Sequence, residues 1–397
     1  MQCRIHTHLI LLFLISTSLF STSAVIGQVR SRWSNLQIEV GTGYDTNLFR
    51  VAGQSDSNRV EAPAETINGK IAAWVYWSRR IKSYVSSSGK YSYYPNKSFA
   101  NEWEWRAKSK TSFAVIKRRR ARFLSAIKLN ISFAGAQKNT IFTNRALGAE
   151  NFRDLNDNGL DQIQLGDLFD RISYRYGGGV EFKFNKNSSL TLAYTHVNND
   201  FTDIGAPATE NFFSLDNAVK KIEANLDIGP SKIFKMKFSY EGQAREYDYK
   251  VARDISGREI SNLQRQYWID KYGLSAYWNV KRLQAKIAMI SKKRNDRFEG
   301  YYNYVQAQIK GEMELTVSPN WILSMGLQNT WKDYIHLEIA GNRLSNRYFT
   351  LETGLTVPLQ KNLQLHLSFV HDREKSTFVD FTYNRNIVMA GFEYKME

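Results

Sequence analysis

Apolar and polar residues alternate through the last stretch of the chain, residues 380–394. Asn386, Val388, Ala390, Phe392 and Tyr394 share one parity, and Arg385, Gly391 and Glu393 share the other. Successive side chains of a strand point to opposite faces, so the stretch predicts a ribbon with one apolar and one wet side. Phe392 and Tyr394 sit near the end of the apolar side, where aromatics meet a membrane interface. The pattern recurs back to Leu36. Residues 102–116 set Trp103, Trp105, Ala107, Phe113 and Val115 against Glu104, Arg106, Lys108 and Lys110. Phe123, Ile127, Leu129, Ile131 and Phe133 mark the next apolar face, and Tyr174, Tyr176, Val180, Phe182 and Phe184 the one after.

Turns divide these stretches in a regular way. Asn185-Lys186-Asn187-Ser188, Gly229-Pro230-Ser231 and Ser318-Pro319-Asn320 are short. They alternate with mostly longer polar connections, among them residues 51–65, 139–170, 202–215, 251–262 and 372–379. The spacing predicts about sixteen strands, many of ten residues or more. Strands of globular proteins usually run to about five or six residues. Long strands, an even count and alternating short and long connections predict an all-β fold, a transmembrane antiparallel up-and-down β-barrel. The short turns are expected on the periplasmic side, with loop 139–170 extracellular.

The start of the chain changes the picture once. Arg4, His6 and His8 precede an apolar core at residues 9–20, and small residues follow at Val25 and Gly27. This is the layout of a secretory signal peptide over residues 1–27, with a core too short to span a membrane as a helix. Residues 28–397 then form one barrel without a linker. Aromatics are 14% of the chain, with 22 Tyr and 23 Phe, which suits interface girdles. The single cysteine, Cys3, lies in the leader, so the mature chain is expected to hold neither disulfides nor thiol-bound metal.

Residues 36–394 as a whole resemble a Gram-negative outer-membrane β-barrel. The first strand closes on Gly43-Tyr44-Asp45-Thr46-Asn47-Leu48-Phe49. That run resembles the Tyr-Asp-(Ser/Thr)-Asn opening of export-linked barrels, such as surface lipoprotein assembly modifiers and exopolysaccharide-secretion barrels. The resemblance implies passage of a polysaccharide or surface protein, with a periplasmic export partner. The chain ends Tyr394-Lys395-Met396-Glu397 rather than on a terminal Phe, which leaves Phe392 and Tyr394 as the insertion signal.

The chain carries a net charge of +16. Much of the excess alternates with the apolar set, at Arg106, Lys108, Lys110, Lys128, Arg175, Lys183, Lys235, Lys237, Arg245, Lys286, Lys310 and Lys332. Glu102, Glu104, Glu181, Glu223, Asp227, Glu312 and Glu314 share those faces. A wet lumen lined this way favours anions through its summed field. The plainer alternative is a wall of ion pairs that only keeps the interior wet. In the long loop, Asp154, Asn156 and Asn158 with Gly159 match the opening of a calcium loop, with Asp161 close by. Leu165 stands where the bidentate Glu belongs, so a solvated acidic turn is the alternative. No other cofactor is expected.

Lys117-Arg118-Arg119-Arg120 and Arg79-Arg80 flank short turns, as periplasmic residues near anionic head groups, and no nucleic-acid partner is expected. His196, His336, His366 and His371 form no metal or nucleophile motif, so no enzyme is expected. His366 falls on the inward parity. The expected partners are outer-membrane lipid and the machinery that assembles barrels. Three functions follow: a porin-like channel for polar or anionic solutes, an export or assembly barrel, and a surface-binding scaffold with a plugged lumen.

Overall fold

The computed structural model describes residues 30–46, 61–95, 101–117, 124–139, 170–185, 187–201, 215–339, 341–378 and 382–396. The expected leader, residues 1–27, lies outside the described residues, as does loop 139–170 except for its two ends.

Sixteen strands form one closed antiparallel sheet. They are β1 (Arg30–Asp45), β2 (Ala62–Tyr76), β3 (Ile81–Tyr93), β4 (Glu102–Lys117), β5 (Ala126–Asn139), β6 (Arg171–Lys183), β7 (Ser189–Phe201) and β8 (Asn217–Ile228). They continue with β9 (Phe234–Arg253), β10 (Glu259–Val280), β11 (Leu283–Asp296), β12 (Tyr304–Ser318), β13 (Trp321–Ile339), β14 (Asn342–Gln360), β15 (Leu363–Ser376) and β16 (Tyr383–Met396). Each strand pairs with its sequence neighbours, and β1 pairs with β16 to close the ring. Closure removes both sheet edges, so every strand has a partner on each side.

The register fixes two faces. Val40 lies opposite Phe392, and Ile38 opposite Tyr394, across the closing seam. The same parity carries Ile67, Leu129, Ile131, Phe133, Ile222, Met289, Leu367 and Val388, all exposed. Phe133 alone leaves 60% of its surface uncovered. Apolar exposure that runs right round a closed wall is a belt built for lipid. The other parity is polar. Near the end with the longer connections it carries buried Asp45, Asn346, Asp372, Glu374 and Arg385.

Several boundaries differ from the sequence reading: β2 begins at Ala62, inside the expected loop 51–65, and β15 runs to Ser376, inside the expected loop 372–379. β1 begins at Arg30 and ends at Asp45, not at residues 36 and 49. Residues 251–262 are not a loop: β9 and β10 continue as a ribbon to a tight turn at 254–258. Gly257 there has φ +84°, which a side chain would resist. Within this polar segment Arg253 is buried, as are Lys250 and Arg265 on either side of it. Likewise β13 runs to Ile339 and β14 begins at Asn342, just after Gly341, which has φ +76°. Pro358, inside β14, sits beside a register shift near the strand end, a position that tolerates a missing N–H.

Candidate functional site: the polar lumen wall

Cross-strand partners share a face, so the ladders can be followed round the barrel. Lys108 on β4 lies opposite Ala134 on β5, which lies opposite Arg175 on β6. Lys110 leads by the same step to Ser132 and Gly177. Arg106, Lys108, Lys110, Lys128, Arg175, Lys183, Lys235, Lys237, Arg245, Lys286, Lys310 and Lys332 all fall on the polar parity. The wall between β2 and β6 is strongly basic. Its described carboxylates on this parity are Glu102, Glu104 and Glu181. The wall from β14 through β16 to β1 is acidic, with Glu352, Asp372, Glu374, Glu393, Glu39 and Asp45 against Arg385 and Lys395.

The cations are not equally available. Glu181 takes both Lys128, at 3.1 Å, and Lys183, at 3.3 Å. Glu312 takes Lys286 at 2.9 Å and Lys310 at 2.6 Å. Arg106 pairs with Glu104. Lys332 lies 4.5 Å from the Tyr304 ring centre and 4.4 Å from that of Tyr334. Arg245 donates to the Tyr247 hydroxyl at 3.4 Å. Lys108 lies 5.8 Å from the Tyr84 ring centre. Among the described residues, Lys110, Arg175, Lys235 and Lys237 have no ion-pair partner. The sequence therefore gathers twelve cations on one face, and among the described residues the fold leaves four of them with neither a carboxylate nor a tyrosine beside the charged group.

A second cluster was not singled out by the sequence. Arg265 and Arg294 are 2% and 5% exposed. Arg294 packs 4.4 Å from the Tyr267 ring centre and 4.5 Å from that of Tyr304, and donates through Nε to the Tyr302 carbonyl at 2.7 Å. Arg265 donates through Nη2 to the Tyr302 hydroxyl at 2.7 Å. Tyr301 and Tyr302 belong to the β11–β12 connection and are buried with Tyr334, Leu337 and Leu344. The desolvated guanidinium groups are stabilised by ring quadrupoles and by neutral oxygens. The available signal was positional. Arg265 and Tyr267 share a parity, as do Arg294 on β11 and Tyr304 on β12, which face each other.

The lower lumen holds a node at Glu393. It accepts from His366 Nε2 at 2.8 Å, from Lys395 Nζ at 2.9 Å and from Gln37. Thr356 Oγ1 lies 2.9 Å from the other ring nitrogen of His366. At the seam, Arg385 makes a two-pronged ion pair with Asp45, with Nε 2.9 Å from Oδ1. The Thr46 N–H donates to the Asn386 carbonyl at 3.0 Å, and the Asn386 N–H donates to Thr46 Oγ1 at 2.9 Å. Within the Gly43-Tyr44-Asp45-Thr46 run, Asp45 and Thr46 thus fasten the first strand to the last. Arg79 and Arg80 lie in the exposed β2–β3 turn, whereas residues 118–120 fall outside the described residues. Asp154, Asn156, Asn158 and Asp161 also fall outside them. Among the described residues no three His, Cys, Asp or Glu side chains gather as a metal site.

A closed antiparallel wall, an apolar outer belt and a polar interior together define a transmembrane β-barrel. No known protein family matches the sequence, and no curated protein does. The structure is similar to OccAB1 of Acinetobacter baumannii, at 11% identity and a TM-score of 0.47, covering 91% of this chain and 97% of that one. It is also similar to a BenF-like porin from Pseudomonas fluorescens Pf-5, at 10% identity and a TM-score of 0.45, covering 93% and 99%. OmpT of Vibrio cholerae, an outer-membrane protein, is similar at 8% identity and a TM-score of 0.44, covering 93% and 98%. At these values the likeness carries no argument about activity.

Proposed function

We propose that this protein is a channel of the Gram-negative outer membrane that passes polar or anionic solutes through a basic-lined lumen. One observation carries the reading: the inward parity of β2–β6 is rich in Lys and Arg and poor in carboxylates, and Lys110 and Arg175 on it have no ion-pair partner among the described residues. Unneutralised cations along a low-dielectric wall raise the local anion concentration. Small neighbours on the shared side, Ser132, Ala134 and Gly177, leave room between those cations, while Tyr84 and Val197 flank them on the far sides. On the acidic wall of β14–β16 and β1, Asp45 is paired with Arg385 and Glu393 with Lys395, which reduces its opposing field.

The test is single-channel recording of the purified protein in a planar bilayer under a salt gradient. Steady conductance with an anion-biased reversal potential is expected. A folded, inserted barrel that conducts nothing, or one that prefers cations, would overturn the reading.

A further inference from the structure

The outer face of β14 and β15 changes character along its length. Towards the middle, Leu355 lies opposite Leu367 and Thr353 opposite Phe369. One step further Leu351 faces His371, whose ring is 6.1 Å from that of Phe349 and which hydrogen-bonds Asn386 at 2.8 Å. Beyond them, Phe349 lies opposite Arg373, and Arg347 opposite Lys375. Trp331 on β13 flanks Arg347. The order from the midline outward is therefore aliphatic, aromatic, cationic.

Arg347, Arg373 and Lys375 are exposed, and among the described residues none has an ion-pair or hydrogen-bond partner for its charged group. The nearby acids do not serve them. Asp372 and Glu374 lie on the inner parity and are buried. Asp333 is on the outer face but accepts from the Ser345 hydroxyl, one step beyond Arg347. Glu338 lies opposite Arg343, further out along the same ribbon. One other outward cation has its partner within the wall. Lys220 pairs with Glu246 at 3.2 Å.

We propose that this strip docks a phosphate-bearing lipid of the surrounding leaflet. The claim rests on the membrane reading above. Arg347, Arg373 and Lys375 hold the phosphate, since guanidinium forks match its oxygens. Leu351, Leu367 and Phe369 receive the acyl chains. A free anion would use the cations alone, whereas this site sets them directly above an apolar track.

The full-length protein would be placed in nanodiscs of phosphatidylglycerol and phosphatidylcholine, and the lipid it retains on release counted by native mass spectrometry. Wild type should retain phosphatidylglycerol about tenfold over phosphatidylcholine, the factor that about 1.4 kcal/mol supplies. The triple variant Arg347→Gln, Arg373→Gln, Lys375→Gln should lose that preference. Arg347→Lys with Arg373→Lys should keep part of it, which guards against misfolding of the triple variant. Equal retention by wild type and triple variant would overturn the proposal, and so would equal retention of the two lipids. Binding of inorganic phosphate to the lipid-free barrel, with displacement of the lipid, would assign the cations to a free anion and overturn it too. Failure of wild type to enter nanodiscs would sink the membrane reading itself, a result seen before any lipid is counted.

Discussion

On β4–β6, Lys110 and Arg175 stand exposed beside Ser132, Ala134 and Gly177. On β10–β13, Arg265 and Arg294 are buried among Tyr267, Tyr302, Tyr304 and Tyr334. Both regions put cations on the inner face of the same sheet. What differs is how far the neighbours enclose them: Tyr84 lies opposite Lys110 on one side, but small residues leave its other side open. Small residues leave a cation in water, where it acts on passing ions. Tyrosines remove the water and supply ring faces and oxygens, so the charge becomes part of the packing. Counting basic residues on a lumen face thus overstates its field wherever aromatics share that face.

The largest effects strike the wall that both regions share. Val388→Lys, on the lipid face, should cost roughly 2–4 kcal/mol near the midplane, and Phe392→Asp somewhat less. Both should lower the yield of the heat-modifiable folded form on gels. Normal assembly of both variants would contradict the facing given by the seam register.

Next comes the packed region itself. Arg294→Ala removes a guanidinium lying close to Tyr267 and Tyr304 and leaves the Tyr302 carbonyl without that donor. We expect a loss of about 2–4 kcal/mol in urea unfolding. Lys110→Ala should stay within about 0.5 kcal/mol of wild type. Similar costs for the two would erase the distinction between packed and open cations.

Selectivity reverses that order. Lys110→Glu with Arg175→Glu should move the reversal potential towards cations while leaving stability nearly unchanged. Lys235→Glu with Lys237→Glu should act in the same direction. A shift of equal size in Arg294→Gln would show that the tyrosine-covered charges reach the permeating ion after all.

The smallest effect concerns the β9–β10 tip. The Asp254 carboxylate accepts from the Ser256 hydroxyl at 2.6 Å and from the Arg258 N–H at 2.8 Å. The Ser256 contact, then the Arg258 N–H, hold its pKa below the usual carboxylate range. A depressed folded pKa gives support that is present above the unfolded value and lost as pH falls through the folded one. Hydrogen exchange at the Arg258 amide should therefore show less protection, relative to neighbouring turns, as the medium is acidified through that range. Asp254→Asn should remove the pH dependence. Unchanged dependence in that variant would point to another group.

The two regions were not equally legible in the sequence. Period-two alternation located nearly every strand, and it put all twelve named cations on one parity, because each side-chain direction follows from position alone. It could not distinguish Lys110 from Lys286, since Glu312 becomes a partner of Lys286 only through the β11–β12 register. The tyrosine cluster stayed hidden for a related reason. Tyr301 and Tyr302 belong to a connection, where alternation has no meaning, and their burial depends on the loop turning onto the wall. The β9–β10 ribbon hides in a polar segment, where Arg253 finds the Gly257 carbonyl at 2.7 Å and Glu259 at 2.9 Å.

The clasp between Asp45 and Arg385 joins positions 340 residues apart. Every other ladder links strands adjacent in the chain. Closing a free coil of that length would cost about 5 kcal/mol in chain entropy. Once the successive hairpins have formed, the span left to close is the width of a curling sheet, and most of that cost has already been met locally. Closure is then a single late event. Until the last strand pairs, the outer edge of β1 remains an unpaired template open to any extended chain nearby. The interval in which that edge is vulnerable ends when β16 pairs with β1.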